Sequence, residues 1–551
     1  MKVSRHYVKA DGLTLHYRRA GAGPPVVLFH ESPRSSVALL PLMERLADKF
    51  SVFGFDTPGF GASDPLPTDR PTAADFADVF AIAVSNMGIE RVPVYGTHTG
   101  AVIALELARN HPDLVSIAVL DGYPVFDQVE RENILRQYLP RFAPEWHGGH
   151  VAELWARVRD QFSFFPWYLA GQSGRLPGDP PPLEHHQAVV LDYLRAGNDY
   201  IAGYASAFRF DGYDAAQNNS VPVAYVARED DLLFPHLDRL PPLPEGSFIK
   251  RLSSDRGQWG ATIADIMQAH PGQMAAADYI KPSRSSDHGV IERQFLDFAD
   301  GSVQVYGAGG GSARQVVLLH RVPGHGAGFF GLMRHLGKTR PVLAIDLPGA
   351  GESTGWDDFP NGLDGQADRL AEILTALDID DVDLLGDFTG APLAAAVARR
   401  ATKRVNSVLA IEAPPDDPAV LGNWRDAYVP DLTPQWDGRH LAAAWWWVRD
   451  GCLYHPWFER RRALGRQLEI DPDMERVHDT FVAALLGGNA SNTLCRAAFE
   501  RPFSSLVQHA GCPVRRIGLA DAPFVDPRAD RTLRPDERRL AAGILELLDE
   551  S

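Results

Sequence analysis

The sequence predicts an α/β protein of two tandem domains, each with a mostly parallel β-sheet and a helical insertion. Three observations predict this fold class: short apolar runs alternate with stretches of helical periodicity, several runs are apolar without interruption, and the same motifs occur twice. An uninterrupted apolar run is typical of a parallel strand that is buried on both faces. The length of 551 residues corresponds to about two to four domains.

In the first half, strands and helices alternate, as a parallel sheet with right-handed crossovers requires. Apolar runs predict strands over 13–19, 24–30, 51–56, 92–96, 116–122, 221–227 and 246–252, the last of which closes the sheet. Helical periodicity predicts helices over 73–87 and 99–110, and Pro112 ends the second of them. Between 123 and 215 the pattern becomes helical and aromatic, which predicts an inserted cap over the carboxyl edge of the sheet.

The two halves of the chain repeat the same motifs at a constant distance. His320 follows His30 by 290 residues, and Trp457 follows Trp167 by the same 290. Chance does not keep such a register over so long a stretch, so the chain is predicted to be a tandem duplication.

The repeat also predicts the domain boundaries. We expect a first domain over 1–270 with its cap at about 123–215, and a second domain over 288–551 with its cap at about 413–505. The segment 271–287 between them is rich in Pro, Ser and charge, as a linker should be.

Composition argues against several classes of function. The net charge of −17 argues against a nucleic-acid or anionic-membrane partner, which would need a basic face. The three cysteines can form neither a disulfide framework nor a zinc site. The polar first residues predict no signal peptide, and no apolar run reaches membrane-spanning length, so we expect a cytoplasmic protein. No helix is predicted after the glycine-rich segment 307–311, so we expect no dinucleotide cofactor, and we expect no other cofactor or metal.

A short motif between a strand and a helix, GTHTG (96–100), resembles the nucleophile elbow G-x-S-x-G of the α/β-hydrolase superfamily. HESP (30–33) resembles the oxyanion loop HG-x-P of that superfamily, and DTPGFGAS (56–63) resembles its D-x-P-G-x-G-x-S turn. The resemblance covers nearly the whole chain, twice, and the capped layout is similar to epoxide hydrolases, haloalkane dehalogenases and C–C hydrolases. It implies two tandem α/β-hydrolase-fold domains, each with a helical cap.

The catalytic triad that this resemblance implies is incomplete in both halves. The elbow tip holds His98 in the first half and Phe388 in the second, instead of a hydroxyl nucleophile. The acid position after a strand holds Asp230, and Asp521 follows it by 291 residues. The position of the base in the first half holds Gln258 instead of a histidine. The second half is therefore expected to be a pseudo-enzyme.

We hypothesise that the His98 ring points towards Asp230 and forms a His–carboxylate pair. Such a pair would make His98 a general acid/base near neutral pH. General acid–base catalysis of this kind typically accelerates a reaction by about 10²–10⁴-fold. By resemblance, the backbone N–H groups of Glu31 and Thr99 would form an oxyanion hole. This set favours proton abstraction, C–C bond formation or cleavage, or elimination over ester hydrolysis, in chemistry of the natural-product tailoring type.

Three alternatives remain open at this point. In the first, His98 is a relic in an inactive pocket. In the second, the protein is an atypical ester or epoxide hydrolase. In the third, it binds a hydrophobic small molecule without catalysis.

The cap repeats a motif of Trp, Gly and His followed by a second Trp and V-R-D, which either packs the cap or lines an aromatic substrate pocket. The substrate is expected to be a small hydrophobic or aromatic molecule, and self-association into a homo-oligomer is left open. The candidate substrate-binding residues are His30, His150, Trp155, Arg159, Trp167, Tyr168, Gln258 and Trp259.

Overall fold

A computed structural model describes residues 2–176, 178–274, 290–355, 362–401, 403–466, 473–521 and 528–550. They belong to two compact units. The first unit comprises Met1–Ala143 and Glu153–Lys281, and the second comprises Pro144–Ala152 and Pro282–Ser551. Of the predicted linker, 275–287 lies outside the described residues.

In the described part of the first unit, the strands form one sheet in the order β1-β2-β4-β3-β5-β6-β7-β8, with the short β9 paired to β5. The strands from β4 to β8 in this order pair in parallel, whereas β1, β2 and β9 pair antiparallel. The strands are β1 Ser4–Ala10, β2 Leu13–Ala20, β3 Pro25–Phe29, β4 Ser51–Phe55, β5 Ile89–Thr97, β6 Val115–Asp121, β7 Val223–Arg228, β8 Phe248–Leu252 and β9 Gln273–Met274.

Helices connect these strands and build the cap between β6 and β7. The α2 helix begins at a capping box, in which Thr72 and Asp75 bind each other's backbone N–H groups. The helices are α1 Leu40–Leu46, α2 Ala73–Asn86, α3 Thr99–Asn110, α4 Gln128–Gln137, α5 Gly149–Gln161, α6 Leu183–Ala196, α7 Tyr200–Arg209, α8 Gly212–Gln217 and α9 Arg256–Gln268.

The second unit repeats this architecture. Over its described residues, the strand order is β10-β11-β13-β12-β14-β15-β16-β17, and the strands from β13 to β17 in this order pair in parallel. The strands are β10 Glu292–Asp297, β11 Ser302–Ala308, β12 Gln315–Leu319, β13 Val342–Ile345, β14 Val382–Asp387, β15 Val405–Ile411, β16 Val514–Leu519 and β17 Arg531–Leu533. The helices are α10 Phe330–Leu336, α11 Leu363–Ala376, α12 Gly390–Arg400, α13 Pro418–Ala427, α14 Arg439–Gly451, α15 Met474–Ala498, α16 Phe503–Val507 and α17 Glu537–Asp549.

The apolar core of the first unit lies on both faces of its sheet, which explains the uninterrupted apolar runs. Val27 and Phe29 of β3 pack in one cluster with α2 and α3. Val26 and Leu28 of the same strand pack in a second cluster with α1 and α9. Because successive side chains of a strand point to opposite faces, both sets are removed from water. The predicted fold class, two mostly parallel sheets with helices, is confirmed.

Two details of the predicted sheet are wrong. The predicted strand over 246–252 is not the last of the first half, because β9 follows it and pairs antiparallel with β5. The sequence analysis also missed β1, a polar edge strand whose exposed side gives it no apolar run. None of the helices in the described segments is long and apolar enough to cross a bilayer.

Candidate active site

The turn between β5 and α3 holds His98 at its tip in a strained conformation. His98 has φ 49° and ψ −108°, a region that side-chain-bearing residues rarely adopt. A Cβ atom on Gly96 would lie 2.0 Å from the Gly100 carbonyl oxygen, and one on Gly100 would lie 2.4 Å from that of Phe29. Both positions therefore require glycine, and the tight turn that results presents the His98 side chain at the edge of the sheet.

His98 pairs with the carboxylate of Asp231. Its Nε2 lies 3.1 Å from Asp231 Oδ1 and 3.0 Å from Oδ2. The Asp231 side chain is 7% exposed and accepts a hydrogen bond from the Leu233 backbone N–H at 2.7 Å. The His98 side chain is 33% exposed, so one side of the ring is open to solvent or a ligand.

The predicted partner, Asp230, is the wrong carboxylate. Its oxygens pair with Arg228 Nε at 3.3 Å and with Arg256 Nη2 at 2.8 Å, on the exposed side of the turn after β7. Adjacent residues of this turn point in different directions, and Asp231 is the one that faces the elbow. The repeat distance indicates Asp231 as the counterpart of Asp521, because these two residues are 290 positions apart, like the other repeated motifs.

The pair is ionised at neutral pH. Burial disfavours the charged ring, but the attraction and hydrogen bond of Asp231 outweigh it and raise the pKa of His98 to about 9. Burial likewise disfavours the Asp231 carboxylate, yet His98 and the Leu233 N–H lower the pKa of Asp231 to about 2. His98 is thus an imidazolium at neutral pH, a proton donor, whereas the sequence predicted a group that titrates there.

Gly122 leaves the space that the pair occupies. A Cβ atom at this position would lie 2.5 Å from His98 Cδ2 and 2.8 Å from His98 Nε2, and the backbone φ of +64° itself favours glycine. The equivalent position of the second unit, 290 residues later, holds Glu412. The His98–Asp231 arrangement therefore requires glycine at position 122, and the second unit has no glycine at the equivalent position.

A buried polar cluster contacts the pair through Arg228, which reaches Asp231. Arg228 reaches Asp121 at 3.3 Å and Asp231 at 3.8 Å, and its guanidinium lies 5.2 Å from the ring centre of Trp259. Asp121 is fully buried and also accepts from Tyr95 Oη at 2.8 Å and Trp259 Nε1 at 2.7 Å. Burial raises the pKa of Asp121 against the opposing attraction of Arg228. Trp259, which the sequence analysis predicted as a substrate contact, thus lies within this cluster.

A cavity of about 500 Å³ lies against the chain segment that follows Asp231. Leu233, whose N–H binds Asp231, lines it from the sheet domain, and α4 lines it from the cap. Its wall combines apolar and aromatic residues with polar ones, among which Arg239 and Glu130 form an ion pair. The lining residues are Phe126, Glu130, Asn133, Ile134, Gln137, Phe165, Pro166, Tyr168, Leu169, Leu232, Leu233, His236 and Arg239.

Of the predicted cap contacts, Tyr168 lines this cavity. Trp167 lies in the adjacent aromatic cluster, where its Nε1 donates to the Tyr138 carbonyl oxygen at 3.0 Å. Trp155 is buried and stacks on His186 with 4.0 Å between ring centres, so it packs the cap. Arg159 is exposed on α5.

Three further predicted contacts lie elsewhere. His30 Nδ1 donates to the Glu31 carbonyl oxygen at 2.8 Å and its Nε2 accepts from the Thr57 N–H at 2.9 Å, so both ring nitrogens bind backbone. Gln258 is exposed and accepts a hydrogen bond from Ser253 Oγ at 2.9 Å.

The third, His150, lies in the segment Pro144–Ala152, which belongs to the second unit. Its ring packs 4.6 Å from that of Trp445, and its Nδ1 accepts from the Glu145 N–H at 3.0 Å. The cap motif is therefore mostly a packing motif, because its rings and imidazoles contact each other and the backbone.

The proposed oxyanion amides lie at the same edge of the sheet as His98. Glu31 follows β3 and Thr99 opens α3 after β5, and these two strands are paired neighbours. Glu31 also acts on His98 electrostatically, in the direction that favours the imidazolium.

In the second unit, ion pairs between arginine and acidic side chains occupy the equivalent site. Arg321, at the position of Glu31, binds Asp387 through two hydrogen bonds of 2.7 and 2.6 Å and Glu412 at 3.0 Å. Arg466 binds Glu412 from another side at 3.1 Å. These ion pairs occupy the space that Gly122 leaves open in the first unit.

Phe388 holds the elbow tip of the second unit, with φ 49° like its counterpart. Its side chain is 1% exposed and packs among four aromatic rings. These rings belong to Trp424, Tyr428, His455 and Phe499. The tip of this elbow is thus a core residue. Across the described part of both units, no three His, Cys, Asp or Glu side chains gather as a metal site requires.

The α/β hydrolase fold family model matches residues 24–247 and 315–478. The chain is 33% identical over 235 residues to 2-(acetamidomethylene)succinate hydrolase of Mesorhizobium japonicum, covering 42% of this chain and 79% of that protein. It is 33% identical over 126 residues to the soluble epoxide hydrolase of Corynebacterium sp., covering 22% and 43%. The crystal structure of epoxide hydrolase A from Mycobacterium thermoresistibile matches with 16% identity and a TM-score of 0.39, covering 50% of this chain and 100% of that one. The chain belongs to the α/β-hydrolase-fold family.

Proposed function

We propose that the first unit is an enzyme in which the His98–Asp231 pair transfers a proton to and from a small, largely apolar substrate. The observation that carries this proposal is a histidine, 3.0 Å from a buried carboxylate, at the elbow tip where related enzymes hold their nucleophile. The cavity of about 500 Å³ is connected to the pair through Leu233, which lines it and binds Asp231, whereas His98 is not among its lining residues. It is large enough for a substrate with one or two rings.

Nδ1 of His98 is the atom that would do this chemistry. Nε2 is held by Asp231, and no other group in the described part of the chain binds the ring. In the imidazolium both nitrogens carry a proton, so Nδ1–H is available to donate to a substrate atom. Asp231 then stabilises the charge of the ring and fixes its orientation.

The reaction class that fits best is cleavage or formation of a C–C bond next to a carbonyl group. In the cleavage direction, a β-hydroxy ketone breaks its Cα–Cβ bond, and the electron pair moves to the enolate. As the C–C bond breaks, the hydroxyl proton passes to solvent and that carbon becomes a carbonyl group. Nδ1–H then protonates the enolate carbon, and solvent returns a proton to Nδ1, so protons and electrons balance. The amides of Glu31 and Thr99 would stabilise the enolate oxygen.

The relatives favour a second candidate, hydrolysis, because two of them are named 2-(acetamidomethylene)succinate hydrolase and soluble epoxide hydrolase. Activation of water would require neutral His98. With a pKa of about 9, about 1% of the ring is neutral at pH 7. Direct attack by a hydroxyl group is not available, because the elbow tip has none.

We further propose that the second unit does not catalyse a reaction. Its elbow tip is a buried phenylalanine, and the Arg321 and Arg466 ion pairs fill the equivalent site. Breaking a buried ion pair to admit a substrate would cost several kcal/mol.

The test uses three substrates with purified full-length protein. These are 4-hydroxy-4-phenylbutan-2-one, which releases benzaldehyde and acetone on C–C cleavage, together with styrene oxide and phenyl acetate. We expect C–C cleavage by the wild type, a loss of about 10²-fold or more in His98→Gln, and no change in Asp230→Asn. Turnover of the epoxide or ester that survives His98→Gln would contradict the proposal, and binding without turnover of any of the three would favour the non-catalytic alternative.

A further inference from the structure

His236 is a histidine of the cavity wall that the proposed mechanism does not use. It lies in the short helical turn Phe234–Arg239, five residues after Asp231, and it lines the cavity. Its Nδ1 accepts a hydrogen bond from the Val125 backbone N–H at 2.9 Å. A nitrogen that accepts carries no proton, so the proton of the neutral ring is on Nε2.

The surroundings keep this ring in place and neutral. Phe126 contacts it edge-on with 4.9 Å between ring centres. Burial, with the positive charges of Arg239 and His98, lowers the pKa of His236 to about 4, against the opposing effect of Glu130 and Asp231. No group of the described residues accepts a hydrogen bond from Nε2. His236 therefore offers a neutral, oriented N–H donor.

The charges around the cavity compensate each other. In its wall, Arg239 Nη1 binds Glu130 Oε2 at 2.8 Å. The other polar groups of the wall include the neutral amides of Asn133 and Gln137. Burying a charged ligand here would leave its charge without a partner, which is costly, whereas a neutral ligand meets no such penalty.

We propose that His236 Nε2–H binds an oxygen atom, of a ketone or an ether, on a neutral aromatic ligand of this cavity. The aromatic body would contact Phe126, Phe165 and Tyr168, and the hydrogen bond would orient the oxygen with respect to the cap. The inference deepens the proposed function by naming the substrate class, but the binding site itself does not depend on turnover.

The probes are acetophenone and ethylbenzene, which have a similar shape and differ in the carbonyl oxygen. Dissociation constants are measured by ligand-observed NMR titration on the full chain. A neutral hydrogen bond corresponds to about 2–10-fold in affinity, so the wild type should prefer acetophenone by about that factor. His236→Asn keeps an acceptor for the Val125 N–H but removes the donor at Nε2, and it should abolish the preference.

Two controls separate this inference from the proposed function. His236→Gln, whose amide N–H reaches the position of Nε2, should restore part of the preference. His98→Gln removes the proposed catalytic group and should leave the preference unchanged. The inference is overturned if the wild type shows no preference, if neither probe binds, or if His236→Asn keeps the preference. Loss of the preference in His98→Gln alone would also overturn it, because the donor would then be His98.

Discussion

Asp231→Asn is the substitution that tests the ionised pair most closely. The carboxylate is what raises the pKa of His98 to about 9, against the effect of burial. Without its charge, the pKa should fall to the usual value of about 6.5 or below. At pH 7.5 the protonated fraction of His98 should therefore fall from about 97% to about 10%. Because only protonated His98 donates, this fall in the protonated fraction should by itself lower the catalytic rate about tenfold.

The assay is an NMR titration of the imidazole resonances between pH 5 and 10, with His98→Gln used to assign the His98 signals. Asp230→Asn is the matched control, because it removes the neighbouring carboxylate, whose partners are Arg228 and Arg256. It should leave the His98 titration near its wild-type midpoint. A wild-type midpoint near 6.5, or a larger shift in Asp230→Asn than in Asp231→Asn, would refute the electrostatic reasoning.

Other predictions follow from the same geometry. Gly122→Ala should displace the His98 ring and reduce activity at least tenfold, whereas Gly246→Ala, which has φ +82° but no atom within 3.4 Å of the added Cβ, should only lower the melting temperature. Arg228→Ala should lower the free energy of unfolding in urea by roughly 3–5 kcal/mol, because it leaves a buried carboxylate unpaired; a loss below 1 kcal/mol would contradict the buried cluster. Phe388→Ala should cost roughly 3–5 kcal/mol of stability without changing kcat per folded molecule. Because the folded-state pKa of His98 is raised, the stabilisation by its ion pair should be complete below about pH 6.5 and be lost as the pH rises through about 9, which urea unfolding at several pH values would measure.

The sequence was sufficient to predict the sheet and the elbow. Strands such as β3 are buried on both faces, so their apolar runs need no knowledge of the partner strands. The helix predicted over 99–110 occurs as Thr99–Asn110, because a glycine-bounded turn precedes it and Pro112 follows. The short β9 could not be predicted, because two residues carry no periodicity and its pairing with β5 is a tertiary contact.

The site was predicted only in part. The elbow motif identified His98, but the choice between two adjacent aspartates depends on the direction of a turn, and the repeat distance was the one sequence signal for Asp231. The protonation state of His98 results from burial and charge in three dimensions, which the sequence does not contain. His236 was missed because its role depends on a hydrogen bond from Val125, far away in the chain.

In the cap, aromatic residues suggested a substrate pocket, but Trp155 packs on His186 and Tyr168 alone of the predicted aromatics lines the cavity. Aromatic side chains bury more surface than others and stabilise small helical caps, so their presence does not distinguish packing from binding. The second unit keeps the motif at Trp445 while its elbow tip is filled, which agrees with a packing role.

The most direct test of the central claim is the pH dependence of single-turnover C–C cleavage by the wild type between pH 5 and 10. If His98 works as a proton donor held by Asp231, the rate should be constant from about pH 5 to 8 and should fall as the pH rises through about 9. A rate that instead increases with pH around a midpoint near 6.5 would show a neutral imidazole acting as a base, and it would contradict the account.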